Sequence, residues 1–286
     1  MFTVVIPALN EEQGIAETIL ELQTVFAEQG YESPEIVVVD DGSSDGTGAE
    51  ARRLGAKVVR HLSNLGYGKS LKDGILEASF DTIVTTDADG TYPAAELPKL
   101  LNKYNEGFDM VVGERTGDHY RESWFKMPLR RLLKFLVEFS SGTKVPDVNS
   151  GMRIFSRKIS RKYFKQLSTS FSFSTSITLA YLMTSKCIAF VPIEYRERVG
   201  SSKVRLFRDS LRTLQFITQA ILYYNPIKLF ILFCSFILAI AIGAFLFGLL
   251  WSSVTLMLLG VGCVLMAILV FSLGLLADLL RQIMFR

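Results

Sequence analysis

The chain of 286 residues has only three cysteines, Cys187, Cys234 and Cys263, and two of these fall in apolar stretches. No two share the paired spacing of a disulfide framework or a zinc site, so neither organises the fold. Net charge is only +3, so the whole-chain balance says little about partners and gives no ground for a nucleic-acid ligand. No Gly-x-Gly-x-x-Gly follows the first apolar run and no Walker lysine motif occurs, so a dinucleotide fold and a phosphate loop of that type are not indicated. Met1–Pro7 is short and lacks a basic start, so no secretory signal is expected there.

Charge is also missing from two long runs. Leu229 to Leu250 is 22 residues without a charged side chain, and Val254 to Ala277 is 24 more. At about 1.5 Å per residue, each helix would span the roughly 30 Å of hydrocarbon in a bilayer. Trp251-Ser252-Ser253 between them is long enough to turn a hairpin. Gly243, Ala244 and Gly248 on the first run, and Gly260, Gly262 and Gly274 on the second, are small enough to let the helices approach closely. Arg205, Arg208, Arg212 and Lys228 precede the first run, Arg281 and Arg286 follow the second, and the turn between carries no charge. Positive flanks on one side predict that the N-terminal domain and the C-terminus are both cytoplasmic.

What the chain does contain is concentrated at Thr82-Ile83-Val84-Thr85-Thr86-Asp87-Ala88-Asp89-Gly90. A short β-branched run reads as a buried parallel strand. Two carboxylates at its carboxyl end sit where open α/β sheets bind ligands. Their mutual repulsion would be relieved by a hard divalent cation, Mg²⁺ or Mn²⁺, shared with substrate phosphates. A plain turn or helix cap is the alternative, because Asp-Gly is ordinary turn chemistry.

In chain order, Thr3–Pro7 reads as a first strand. A helix follows to about Gln29, with Asn10 and Gln13 resembling a capping box. Glu35–Val39 is a second strand ending in Asp40-Asp41-Gly42-Ser43-Ser44-Asp45, and a helix runs from there through about Leu54. Ala56–Arg60 is a third strand, and Asn64–Lys69 reads as a flexible loop bearing a cation before another helix. After the Asp87 strand come a helix entered at Pro93 and a strand at Asp109–Val112. Regular alternation with polar loops at the strand carboxyl ends predicts an α/β fold with a doubly wound, mostly parallel sheet and flanking helices. Three of those ends carry acids (Asn10-Glu11, Asp40-Asp41 and Asp87-Asp89), and their convergence is more specific than any one of them.

Further on, Asp118 to Lys165 holds twelve Lys/Arg against four Asp/Glu. That excess suits phosphate, an anionic membrane surface, or simply a solvated face. Trp124, Phe125, Met127, Leu129, Leu132, Leu133, Phe135, Leu136 and Phe139 alternate there with Lys126, Arg130, Arg131 and Lys134. The spacing predicts a helix that lies in a membrane interface or packs as an amphipathic core helix. A second juxtamembrane helix is expected at about Arg205–Tyr224, with Tyr223-Tyr224 at headgroup level.

The stretches Ile6-Pro7-Ala8-Leu9-Asn10-Glu11-Glu12, Val39 to Asp45, and Asp87-Ala88-Asp89 resemble family-2 glycosyltransferases of the GT-A fold. Val111-Val112-Gly113-Glu114-Arg115, Asn149-Ser150-Gly151-Met152-Arg153, and Val191-Pro192-Ile193 through Arg198-Val199-Gly200-Ser201-Ser202-Lys203 resemble its dolichol-phosphate mannose synthase and polyprenyl-phosphate glycosyltransferase branch. The resemblance covers about residues 1 to 215, and members often add C-terminal membrane helices. It implies a cytoplasmic GT-A catalytic domain over 1–204, an amphipathic helix over 205–226 and a two-helix membrane hairpin over 227–286.

Residue by residue, the resemblance implies that Pro7, Asn10 and Glu12 line the base and ribose site and that Asp40 accepts from the base. Asp87, Ala88 and Asp89 would meet the nucleotide diphosphate, with Asp87 and Asp89 holding Mg²⁺ or Mn²⁺ and Asp89 doing so directly. Arg198, Ser202 and Lys203 would close over the diphosphate from a mobile loop, although by residue type alone Arg198 and Lys203 read first as a solvated loop. Arg115 and Arg131 would receive the acceptor phosphate, with Asn149 and Ser150 nearby. The catalytic set is then Asp89, Arg115 and Arg131. The partners implied are a nucleotide sugar, a polyprenyl phosphate and the membrane, with a homo-oligomer left open.

Two departures from the family pattern matter. Members that act on sugar hydroxyls carry an acidic pair where this chain reads Phe171-Ser172-Phe173-Ser174-Thr175-Ser176. A phosphate monoester is already ionised and needs no such base, so the missing acid favours a phosphate acceptor. Mannose-synthase relatives have glutamine where this chain has Thr91, which leaves a third protein ligand to the metal unassigned. The competing readings are a transferase making polysaccharide from sugar hydroxyls, and a non-catalytic membrane module that binds nucleotide sugars.

Overall fold

A computed structural model of the chain describes residues 1–32, 34–117, 127–197 and 206–284. The chain divides into two units, Met1–Ile217 and Thr218–Arg286.

The first unit is built on seven strands: β1 (Thr3–Ala8), β2 (Glu35–Asp40), β3 (Lys57–Arg60), β4 (Thr82–Thr85), β5 (Met110–Thr116), β6 (Arg153–Ser156) and β7 (Ile188–Glu194). Their order across the sheet is β3-β2-β1-β4-β6-β5-β7. Neighbours pair in parallel except β6, which runs antiparallel to both β4 and β5. The expected mostly parallel sheet is what forms, with one reversed strand in its middle.

Around the sheet lie α1 (Glu12–Glu28), α2 (Thr47–Arg53), α3 (Tyr67–Glu77), α4 (Leu97–Asn105), α5 (Met127–Ser141), α6 (Arg157–Arg161), α7 (Phe173–Met183) and α8 (Leu206–Tyr224). A 3₁₀ turn, Ala94–Glu96, leads into α4. Strand alternation sorts these helices onto two faces. Val4, Ile6 and Val38 share one core with Ile15, Ile19 and Leu22 of α1 and with Leu97 and Leu100 of α4. On the other face, Val5 and Val39 meet Gly74 of α3, where a side chain would overlap them. β1 is buried at every residue, as a strand covered on both faces must be. Pro7 is tolerated there because the ladder to β4 ends at Val5↔Thr85.

Two local expectations are corrected. Asn10 does not cap α1 with its side chain: the N-cap is Glu11, with no side-chain cap bond, and Asn10 sits at φ 50° in the left-handed region that Asn tolerates. Its amide oxygen accepts from the neighbouring loop instead. The stretch Asn64–Lys69 is not loop throughout, because α3 already begins at Tyr67. β4 stops at Thr85, so Asp87 and Asp89 follow its carboxyl end, where the sequence placed them.

The second unit holds the end of α8 together with α9 (Pro226–Leu250) and α10 (Val254–Met284), both long and apolar enough to cross a membrane. They pack as an antiparallel hairpin around Trp251-Ser252-Ser253. The small residues contribute unequally. A Cβ on Gly248, Gly260 or Gly274 would fall 2.6–2.9 Å from Met257, Phe245 or Phe230 respectively. Gly243 and Gly262 have nothing within 4 Å, so they do not line the helix contact. Most of the large apolar side chains of both helices, including Phe236, Leu246, Leu258 and Ile268, are exposed.

Candidate active site

The carboxyl ends of β1, β2 and β4 bring the acidic loops onto one rim of the sheet. The first two loops are stitched to each other. Asn10 N–H donates to Ser43 Oγ at 3.0 Å, and Ser44 N–H donates to Asn10 Oδ1 at 2.8 Å. Gly46 N–H donates to Glu12 Oε2 at 3.1 Å, and Glu12 N–H returns to Asp45 Oδ2 at 3.4 Å. Asn10 and Glu12 therefore shape the rim by gripping the Asp40–Asp45 loop. Pro7, at the penultimate position of β1, is buried.

Asp40 is buried and accepts Ser43 N–H at 2.9 Å. Asp41, beside it, turns the other way and anchors the loop before α3. It accepts Leu65 N–H and Gly66 N–H, both at 2.9 Å, and pairs with His61 Nδ1 at 2.7 Å. His61 Nε2 reaches Asp73 at 2.9 Å. The Lys69 ammonium, the cation expected in that loop, is bound to both oxygens of Asp73, one turn along its own helix.

Asp87 and Asp89 are each oriented by a hydroxyl donor. Tyr67 Oη donates to Asp87 Oδ1 at 2.9 Å. Thr91 donates to Asp89 Oδ1 through its hydroxyl at 2.6 Å and its N–H at 3.2 Å. Thr91, at the position where the family pattern has glutamine, thus supports a carboxylate. Ala88 between them is buried. Gly151 closes the far side of Asp87, where a Cβ would lie 2.8 Å from Oδ2. Thr85 Oγ1 donates to Gly151 O at 2.7 Å, and Gly151 N–H donates to Tyr92 Oη at 2.7 Å.

This donor set suits Mg²⁺ or Mn²⁺. Both groups offer hard carboxylate oxygens and accept hydrogen bonds from outside the pair, Asp87 from Tyr67 and Asp89 from Thr91. Among the described residues no cluster of three His, Cys, Asp or Glu converges. The remaining coordination positions would therefore fall to phosphate and water, the usual arrangement for Mg²⁺.

Next to this pair lies a buried cationic layer. Arg115, at the end of β5, makes a two-pronged bond to Asp147, Nε to Oδ2 at 2.7 Å and Nη2 to Oδ1 at 2.9 Å, with its guanidinium over the Tyr195 ring. Asp147 is buried, which alone would raise its pKa; the hydrogen bonds and charge of Arg115 outweigh this and hold it below the usual carboxylate value. Asn149 N–H donates to Asp147 Oδ1, and Asn149 Oδ1 accepts from Thr175. Ser150 is fully buried beside them.

Arg153 is 1 % exposed and spends three different nitrogens on neutral acceptors: Ser150 O at 2.7 Å, Val148 O at 2.8 Å and Thr178 Oγ1 at 2.6 Å. Burial pulls its pKa down to about 10, so it is charged at neutral pH. Arg131 lies on α5, exposed. That helix has two characters: Leu133 and Val137 are buried, while Phe135 is exposed and stacks on Phe139.

Arg198, Ser202 and Lys203 lie outside the described residues, as do Trp124, Phe125 and Lys126. The later cations of the basic segment are elsewhere. Arg157, Lys158, Arg161 and Lys162 line a cleft of about 390 Å³ with Asp81, at the opposite end of β4 from Asp87. Sequence reading gave no role to Tyr67, Tyr92, Asp147 or Arg153. Only the last two carried a signal, as charged residues in otherwise apolar or small surroundings.

A seven-stranded, mostly parallel sheet with flanking helices and the Asp87 and Asp89 carboxylates at its rim defines an α/β domain. The chain belongs to glycosyl transferase family 2, whose model matches residues 3–164. It is 32 % identical over 206 residues to a dolichyl-phosphate hexose transferase of Haloferax volcanii, covering 71 % of this chain and 86 % of that one. It is 29 % identical over 255 residues to an undecaprenyl-phosphate 4-deoxy-4-formamido-L-arabinose transferase of Klebsiella pneumoniae, covering 87 % and 74 %. Glucosyl-3-phosphoglycerate synthase of Mycobacterium tuberculosis, solved with Mn²⁺, UDP-glucose and phosphoglyceric acid, superposes with a TM-score of 0.63 at 22 % identity, covering 77 % of this chain and 79 % of that one. The last likeness establishes the GT-A fold.

Proposed function

We propose that this chain is a membrane-bound inverting glycosyltransferase that moves a hexose from a nucleotide sugar to a polyprenyl phosphate. The reading rests above all on Asp87 and Asp89, two carboxylates at the sheet rim that each accept from a hydroxyl, and on the lack of a carboxylate in the stretch Phe171–Ser176. Residues 168–178 contain no carboxylate. Their hydroxyls are instead structural: Ser172 bonds Thr213, Thr175 donates to Asn149, Ser176 accepts Ser168 N–H and Thr178 accepts from Arg153. The relatives named for dolichyl- and undecaprenyl-phosphate support the same acceptor class.

In this reading Asp87 and Asp89 would hold Mg²⁺ or Mn²⁺, which would supply charge neutralisation for the leaving group. Pro7, Asn10, Glu12 and Asp40 receive the base and ribose, and Arg198, Ser202 and Lys203, which lie outside the described residues, are assigned to the diphosphate by the family resemblance. The acceptor's phosphate oxygen attacks the anomeric carbon as the bond from that carbon to the diphosphate breaks. Inversion follows from a single in-line displacement, and the nucleoside diphosphate leaves. Arg115 and Arg131 bind the acceptor phosphate, so catalysis is mainly positioning and charge stabilisation. Arg115 is held by Asp147 before any substrate arrives. The exposed Phe135 beside Arg131 and Lys134 suits a helix in the headgroup region. The α9–α10 hairpin anchors the chain with the catalytic unit on the cytoplasmic side, by the positive flanks.

The test is incubation of membranes bearing the full chain with a panel of radiolabelled GDP- and UDP-hexoses, scoring lipid-extractable product. Wild-type protein should label polyprenyl phosphate from one donor, and Asp89→Ala should abolish labelling while the protein stays folded. Undiminished transfer by Asp89→Ala would overturn the role given to the carboxylate pair.

A further inference from the structure

Asp87 is held by a side chain that neither its family motif nor its position in sequence assigns. The Tyr67 hydroxyl reaches it from the first residue of α3. The ring stacks on Phe171, with centroids 5.5 Å apart and planes 20° from parallel. Phe171 lies on the connection between α6 and α7, and that connection is fastened to the start of α3. Lys69 N–H donates to Thr169 O at 3.1 Å. A Cβ on Gly68 would fall 2.5 Å from Ser168 O and 2.8 Å from Ser170 O, so the two segments approach backbone to backbone. The phenol is a donor and the ionised carboxylate can only accept, so the direction of this bond is fixed.

We propose that Tyr67 is a positioning residue for the divalent-cation site, its hydroxyl fixing the rotamer of Asp87 and the Phe171 stack fixing the hydroxyl. The inference rests on the donor-site reading given above. An aspartate's terminal torsion is broad and two-fold, so a carboxylate without a fixed donor samples many orientations. Here Tyr67 holds Oδ1 while Gly151 packs closely against the whole carboxyl group, its Cβ position 2.8–3.0 Å from Oδ2, Oδ1 and Cγ. A neutral phenol does this without placing a second charge beside the carboxylate. Phe171, in the stretch that carries no acid, thereby acts as a brace for the metal carboxylate.

The experiment uses the full-length chain in detergent and follows Mn²⁺ binding by the free-ion electron paramagnetic resonance signal, with UDP or GDP present and no lipid acceptor. Tyr67→Phe keeps the ring and the stack and removes only the hydroxyl. It should weaken Mn²⁺ binding about tenfold, the lower range for loss of an outer-shell partner, with the unfolding midpoint within about 2 °C of wild type. Phe171→Leu, which leaves the hydroxyl in place, should weaken binding in the same direction by less. In the transfer assay, excess Mn²⁺ should bring Tyr67→Phe turnover back toward wild type. An unchanged isotherm for Tyr67→Phe beside normal wild-type binding overturns the inference alone. A loss that tracks a lowered midpoint and resists excess Mn²⁺ also overturns it, as the mark of a merely structural tyrosine. If the wild-type chain binds no Mn²⁺ with either nucleotide, the donor-site reading itself fails.

Discussion

Arg115 and Asp147 are joined by two parallel hydrogen bonds, Nε to Oδ2 at 2.7 Å and Nη2 to Oδ1 at 2.9 Å, 32 residues apart in sequence. Both are largely shielded, with side chains 15 % and 3 % exposed. The pair ties the end of β5 to the loop that carries Asn149, Ser150 and Gly151.

Replacing Asp147 with Asn leaves a guanidinium without its countercharge in a shielded site, which costs about 3 kcal/mol by analogy with other broken buried pairs. The pH dependence has a definite sign. The folded pKa of Asp147 lies below its unfolded value, so its contribution is complete above the unfolded pKa of about 3.9 and is lost as pH falls through the folded pKa. The gap in unfolding midpoint between wild type and Asp147→Asn should stay constant from neutral pH down to about pH 5 and close below about pH 4. A gap that persists unchanged in acid would show that the carboxylate's charge is not what stabilises the loop.

Arg153 gives a sharper contrast, because charge and geometry can be separated. Arg153→Lys keeps a cation but replaces three separately directed nitrogens with one. The carbonyls of Ser150 and Val148 then compete for a single ammonium, and at least one buried acceptor goes unmet. The expected loss is roughly 2 kcal/mol of stability together with reduced transfer, since Gly151, next to Ser150, packs against Asp87. A Lys variant as stable as wild type would mean the fork of bonds is dispensable.

Most of the frame was readable from the sequence because its signals are local. Continuous β-branched runs marked β1, β2 and β4, and uncharged runs of more than twenty residues marked α9 and α10. β6 was hidden because it is four residues long and its placement between β4 and β5 depends on pairing partners some 70 and 40 residues away. β7 contains Pro192, which a central strand would not accept but an edge strand does. The acids of the rim were legible as a motif. Their supports were not, since Tyr67 lies 20 residues from Asp87 and Arg115 lies 32 from Asp147, and no periodicity links such partners. The capping-box reading of Asn10 failed for a related reason: a loop-to-loop bond to Ser44 competed with the local helix bond and won.

Gly151 offers a test of how tightly Asp87 is enclosed. A methyl group there would sit 2.8–3.0 Å from all three carboxyl atoms of Asp87, closer than carbon and oxygen can approach. The carboxylate or the loop must move. Gly151→Ala should therefore reduce transfer at least tenfold and raise the Mn²⁺ concentration needed for half activity, as expected when a ligand is displaced from its supported orientation. Kinetics at several metal concentrations would check this, and an unaltered Mn²⁺ requirement would argue that Asp87 has room to spare.

In the apolar α9–α10 hairpin the glycines divide into those that face the partner helix and those that do not, and a matched pair of substitutions exploits this. A Cβ on Gly274 would fall 2.6 Å from Phe230 Cβ, whereas one on Gly262 meets nothing within 4 Å. Helix association in a bilayer draws on close van der Waals packing, because lipid tails are as apolar as the side chains themselves. Gly274→Ile should thus force α9 and α10 apart and lower the thermal midpoint in detergent by several degrees, about 2–4 °C for each kcal/mol lost in a chain of this size class. Gly262→Ile adds the same side chain to an open face and should leave the midpoint where it was. Equal effects from the two substitutions would mean that the hairpin is held by helix propensity or detergent packing rather than by the contact at Gly274.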